Sequence, residues 1–277
     1  MRILESRILS QTIEEMLLEA CIKIPSEVIE SLEEAITYEK SDLGKDILQK
    51  IIENDILAQE EKRPICQDTG IIVCYLEIGQ NVHIIGDIYE AINEGVRNAT
   101  IKGYLRRSVC NDPIERCNTN DNTPAVVHTK ITEGDKIKIT LAPKGAGSEN
   151  MSALKMLVPA DGVDGVISFV LQTIEKAGGK ACPPIFVGVG IGGTFEKCAL
   201  LAKEALLDID VNKTKTEKEL SNKILKKINN LGIGPMGFGG TVTALKVNVK
   251  SYPCHIASMP VAVNIECHAS RHIKRII

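Results

Sequence analysis

The chain has 277 residues, 44% hydrophobic and 25% charged, which is a globular composition with room for a sizeable core. A formal net charge of −3, 3% aromatic residues and no tryptophan supply neither the basic field nor the stacking surface that nucleic acid requires. The opening MRILESRILSQTIEEMLLEA has Glu5, Glu14 and Glu15 among its apolar residues, and no run of about 18 apolar residues follows. Neither a membrane span nor a targeting peptide is therefore expected, and a cytoplasmic protein is.

In chain order, residues 1 to about 60 are expected to form a helical N-terminal segment. Val28, Leu32, Ala35 and Ile36 recur at helical spacing after Pro25-Ser26, and Leu43, Ile47, Leu48, Ile51 and Ile52 do so after Ser41-Asp42. Ile71–Ile78 is a short apolar run suited to a buried strand, and Ile84–Ala99 has a helical pattern. Ala125–Ile131 and Lys136–Leu141 flank Glu133-Gly134-Asp135 and predict a hairpin. Helices are expected over Val166–Ala177, Thr194–Leu207 and Thr216–Asn230, the last with lysines on a solvated face. Strands are expected at Ile185–Val189, Thr241–Val249 and Val261–Ile265. This is an α/β protein with mixed sheets and flanking helices, read as one domain over residues 1–277.

Five segments break the core pattern: RPICQDTG at 63–70, RRSVCNDPIERCNTNDNTP at 106–124, KGAGSEN at 144–150, ACPPIFVGVGIGGTFEK at 181–197 and YPCHIASMPVAVNIECHASRH at 252–272. Their Gly, Pro, Asn and Asp suit turns, so each alone could be only a loop; five chemically loaded loops in one chain point instead to a shared site. Nine dispersed cysteines with no C-x-x-C pair fit neither a disulfide framework nor a zinc ribbon. Gly188-x-Gly190-x-x-Gly193 after a strand, with Asp208 or Asp210 downstream, offers a rival reading as a dinucleotide-binding oxidoreductase.

The motifs RPICQDTG, NDNTPAVVH, KGAGSEN, CPPIFVGVGIGG and PMGFGGTVTAL, in this order along the chain, resemble class I fumarases and the α subunits of two-subunit fumarases and tartrate dehydratases. The resemblance implies a [4Fe–4S] cluster held by Cys66, Cys182 and Cys267, with one iron left open. It implies a hydro-lyase that hydrates fumarate to malate, a tricarboxylic acid cycle reaction, or alternatively a dehydratase of tartrate or a related hydroxy-dicarboxylate. Gln67, Asp68, Arg106, Gly145 and His255 match the family's substrate-binding positions, with Arg107 an alternative to Arg106. Cys21, Cys74, Cys110, Cys117, Cys198 and Cys254 match no ligand position. Single-chain members continue into a further domain that supplies a threonine and more arginine and lysine. This chain stops at Ile277, so a separate β subunit in an α2β2 assembly is expected to bring the base. A non-catalytic iron–sulfur sensor would need the cluster but not Arg106 or His255.

Overall fold

The computed structural model describes residues 1–209 and 211–277. The elements begin with β1 (Arg2–Glu5), α1 (Ser6–Ile22), α2 (Ser26–Tyr38), α3 (Asp42–Glu61), β2 (Ile71–Gly79), β3 (Val82–Ile85) and α4 (Ile88–Lys102). They continue with β4 (Val126–Thr132), β5 (Ile137–Lys144), α5 (Ala146–Glu149), β6 (Ala153–Leu157), α6 (Gly162–Ala177) and β7 (Ile185–Gly192). Then come α7 (Phe195–Leu206), α8 (Lys215–Asn229), β8 (Ala244–Tyr252), β9 (Met259–Glu266) and β10 (Ile273–Ile276). The mixed α/β class expected from the sequence is what forms.

Two compact units divide the chain. The first comprises Met1–Pro25, Glu53–Ala146 and Arg271–Ile277, and the second Ser26–Ile52 and Gly147–Ser270. In the first unit a sheet of order β10-β5-β2-β4 packs against α1 and α4. Leu9, Ile13, Met16 and Leu17 of α1 meet Ile72, Cys74 and Leu76 of β2 and Ile137, Ile139 and Leu141 of β5. Burying a side chain of this size stabilises by about 1.5–3 kcal/mol, so this shared face is what holds the unit. Gly95 lets α4 lie on α1, because a Cβ there would come within 2.6 Å of the Ser10 carbonyl oxygen. Asp87 caps α4 by accepting from the Glu90 amide.

The expected hairpin does not form. β4 pairs parallel with β2, and β5 pairs antiparallel with the other edge of β2, so the two predicted strands lie on either side of a third. Their turn and alternation are real, but neither specifies a partner. The chain also begins with the strand β1, paired parallel with β3, where a helix was expected, and β3 occupies what looked like the first turn of α4.

In the second unit the order is β6-β9-β7-β8, with only β7 and β8 parallel. β7 reads IFVGVGIG, and its alternation separates two faces. Val187 and Val189 join Val166, Val170 and Ile174 of α6 and Ile224 and Ile228 of α8. Gly188 and Gly190 face α7: a Cβ on either would come within 2.1 Å of a carbonyl oxygen, that of Ala202 or Cys198.

Candidate active site

Cys66, Gln67 and Asp68 lie in the first unit, in the irregular stretch between α3 and β2. The preceding residue is fixed from two sides: the Ile65 amide donates to the Cys21 carbonyl (2.9 Å), and Asn54 Nδ2 donates to the Ile65 carbonyl (3.2 Å). The half-buried Cys66 Sγ accepts from the Asp68 amide at 3.5 Å and donates to Gln67 Oε1 at 3.4 Å.

Asp68 is the hub. Its Oδ1 accepts from the Gly70 amide (3.2 Å) and the Ser108 hydroxyl (3.1 Å), and its Oδ2 from the Ala146 amide (3.0 Å). Arg106 Nη1 stands 3.8 Å from Oδ1. The Arg106 side chain is 61% exposed, so this contact orients the guanidinium without contributing much stability. Gly145 lies so close that a Cβ would meet Asp68 Oδ2 at 3.2 Å. Asp68, Arg106 and Gly145 are thus brought together, with Gln67 adjoining. Arg106 is the arginine of the pair that faces Asp68. The neighbouring Arg107 is exposed, and its carbonyl accepts from Asn118 Nδ2.

The loop carrying Arg106 is set by residues that sequence reasoning did not single out. The Arg106 amide donates to Thr69 Oγ1 (2.8 Å). Asn122, fully buried, accepts from the Ser108 amide (2.7 Å) and donates to the Gly70 carbonyl (3.2 Å). It adopts φ 64°, a left-handed conformation that asparagine tolerates better than most residues. The polar density of NDNTP was the available signal. Gly70 needs its hydrogen side chain, since a Cβ would overlap the Lys144 carbonyl at 2.2 Å.

Cys182 and Cys267 belong to the second unit. Cys182 follows a 3₁₀ turn, has φ 53° and precedes β7. Cys267 follows the last residue of β9, and Phe186 of β7 pairs with Glu266. The two cysteines therefore flank the same end of adjacent strands, and the His268 amide approaches the Cys182 carbonyl at 3.5 Å. Beside them, Asn264 Nδ2 donates to Glu149 Oε2 (3.0 Å) and Ser152 Oγ (2.9 Å), while Lys203 ion-pairs with Glu149. The GSEN part of KGAGSEN is thereby tied to β9.

His255 does not join them. It is exposed in the turn before β9, whereas Cys267 follows that strand. Eight residues of β-strand at a rise of about 3.3 Å each separate the two by roughly 25 Å. Spacing of twelve residues in the sequence concealed an intervening strand.

Among the described residues no cysteine is paired in a disulfide. Burial pushes the Cys21 thiol up to about 11, against the opposing charge of Arg271, and the Cys74 thiol up to about 12; it raises Cys198 as well. Those three are held as thiols in apolar surroundings and make poor ligands. Cys66, Cys182 and Cys267 are instead partly accessible and sit at loop–strand junctions, so the donor set fits an iron–sulfur group in kind. Among the described residues no group of three His, Cys, Asp or Glu side chains is gathered closely enough to hold a metal ion.

The model of the family described as Fumarate hydratase (Fumerase) matches residues 10–276. The chain belongs to the Fumerase family. It is similar to the Methanocaldococcus jannaschii protein named "Putative L(+)-tartrate dehydratase subunit alpha", with 46% identity over 97% of each chain. It is also similar to the L(+)-tartrate dehydratase subunit alpha of Escherichia coli O157:H7, with 32% identity over 90% of this chain and 84% of that protein. This family membership makes the chain part of a hydro-lyase.

The rival dinucleotide motif is accounted for by packing. Gly188 and Gly190 are inside β7 beneath α7, not in a turn opening onto a helix N-terminus, and the sheet around them is mostly antiparallel. Asp208 is engaged by Lys246 at 2.9 Å, and Asp210 lies outside the described residues. His128, another polar residue of the motifs, packs its ring on Tyr75 with centroids 4.8 Å apart. No described helix is long and apolar enough to cross a membrane.

Proposed function

We propose that this chain is the α subunit of a cytoplasmic iron–sulfur hydro-lyase that reversibly adds water to fumarate to give malate. The observation that carries the reading is the cluster of Asp68, Arg106 and Gly145 beside Cys66 and Gln67, within a chain matched almost end to end by the family model. Cys66, Cys182 and Cys267 hold a [4Fe–4S] group in this reading. When bound, such a group with three thiolate ligands supplies an open iron as a Lewis acid toward a substrate hydroxyl.

The chain's own residues bind and orient. Arg106 presents a planar fork suited to a carboxylate, and its exposure leaves that fork accessible in this chain. The Asp68 carboxylate is already met by the Gly70, Ser108 and Ala146 donors. It is therefore an orienting group. The Ala146 amide of the KGAGSEN turn, which could have served a substrate carboxylate, is used by Asp68. Gln67 and Gly145 border the same space, whereas His255, at the far end of β9, is placed to act elsewhere than at a ligand held by Cys182 and Cys267 of its own chain.

The relatives are named as α subunits, and this reading assigns the proton acceptor of the dehydration direction to a partner. A β subunit that completes the site, in an α2β2 assembly, follows from this reading. The names of those relatives also favour a second substrate, tartrate, which loses water to give oxaloacetate by the same elimination from a hydroxy-dicarboxylate. The anaerobic α–β complex assayed with fumarate, malate and L(+)-tartrate tests both. Turnover of fumarate and malate supports the first reading, turnover of tartrate alone selects the second, and turnover of neither with a full cluster contradicts both.

A further inference from the structure

Arg271 is 4% exposed, a rare state for a guanidinium. Its Nη2 donates to the Asp68 carbonyl at 2.9 Å, while Nε and Nη1 are buried and meet no acceptor. Burying a charge this incompletely paired is costly, so the position calls for a physical reason.

The reason lies in what Asp68 does with its other groups. Its amide donates to Cys66 Sγ, and its carboxylate is held by Gly70, Ser108 and Ala146. The carboxylate bonds fix the side chain, but the orientation of the main chain depends on the carbonyl as well. Among the described residues, Arg271 is the group that meets this carbonyl. Upstream, Ile65 is anchored at both its amide and its carbonyl. The stretch Cys66–Gln67 is therefore suspended between two anchors, and Arg271 supplies the downstream one. A peptide held at this angle keeps the Asp68 N–H directed at the Cys66 sulfur.

From this geometry we infer that Arg271 is a positioning residue for the Cys66 turn: it fixes the Asp68 backbone so that the Asp68 amide serves the Cys66 sulfur, and it sets Gln67 beside it. The inference rests on the proposed role of Cys66 as a cluster ligand.

The test uses the full-length chain reconstituted anaerobically with iron and sulfide, in wild-type, Arg271→Met and Arg271→Lys forms. Cluster absorbance is followed after an iron chelator is added. A charge-assisted hydrogen bond lost from the turn predicts release about tenfold faster in Arg271→Met, with most of the lifetime restored by lysine. Hydrogen exchange on the cluster-free chains should show the Cys66–Thr69 amides exchanging about tenfold faster in Arg271→Met, with the β2 and β5 amides unchanged. If the methionine variant does not fold, Arg271→Gln is compared in the same way. Equal cluster lifetimes in folded wild type and variant, or exchange accelerated evenly across the unit, would overturn the inference. A wild-type chain that takes up no cluster defeats the functional reading instead, and the exchange data still report on the tether.

Discussion

Three donors, the amides of Gly70 and Ala146 and the Ser108 hydroxyl, converge on the Asp68 carboxylate, and Asn122 holds the Ser108 and Gly70 backbones that carry two of them. Removing the Asn122 side chain takes the partner from the part-buried Ser108 amide and from the buried Gly70 carbonyl. Asn122→Ala should therefore destabilise the chain by about 2 kcal/mol in denaturant unfolding. Because Ser108 borders the Arg106 loop, the variant should also raise KM for the dicarboxylate in the complex. A stability equal to wild type would show that the Asn122 bonds contribute nothing. Asp55 gives a pH-dependent test. Burial pushes its carboxyl up from 3.8 to about 6, only partly offset by a hydrogen bond from Asn54, and Oδ2 is buried without a partner. A folded-state pKa above the unfolded one means that ionisation opposes folding, so this contribution improves as pH falls through about 6 and is complete below 3.8. Asp55→Asn should be more stable than wild type by roughly 2 kcal/mol at pH 8, and the difference should vanish near pH 4. A constant difference across that range would contradict the assignment.

At the scale of elements, the second unit depends on how closely α7 approaches β7. A side chain at Gly190 would overlap the Cys198 carbonyl and the Ala202 amide, both of them backbone that cannot step aside alone. Gly190→Val should thus cost at least about 3 kcal/mol or prevent folding, whereas valine at the open, exposed Ala146 should have a much smaller effect on thermal unfolding. The helices were legible because apolar spacing states which face is buried: α2, α6, α7 and α8 formed within a few residues of their expected ranges. Strand partners were less so. The alternation in β4 and β5 declares two strands but not that β2 would come between them. β1 has four residues and acquires its pairing from β3, and the edge strands β6 and β10 are short, so none carried enough pattern to be distinguished from loop or helix. Within the site, the loops bearing Cys66, Arg106 and Gly145 were marked by residue types costly in a core. Arg271 and Asn122 were not singled out, since their importance lies in burial and partners acquired only on folding. Glu39 is a further case. Burial would raise its pKa, but amides of Ser41, Thr241, Val242 and Lys40 outweigh that and lower it, fixing the GGTVT turn from the residue that follows α2, 202 positions before Thr241.

For the whole molecule, the proposed function assigns the binding groups to this chain and the proton acceptor to a β subunit. Positioned acid–base groups are typically worth about 10² to 10⁴ in rate, so the α chain alone, even loaded with its cluster, should show hydratase activity lower by at least that factor than the complex. Equal turnover would place the base in this chain. The cluster itself should be oxygen-sensitive, since an iron without a protein ligand is reachable, and aerobic incubation should change its electron paramagnetic resonance spectrum as activity falls. The central claim is that three cysteines distant in sequence hold one group. Iron and acid-labile sulfide content after anaerobic reconstitution tests this most directly, measured on wild type, on Cys66→Ser, Cys182→Ser and Cys267→Ser, and on Cys198→Ala as a control. The account predicts a full four-iron complement in wild type and the control, and its loss in each of the three serine variants. A full complement retained in Cys182→Ser would contradict it.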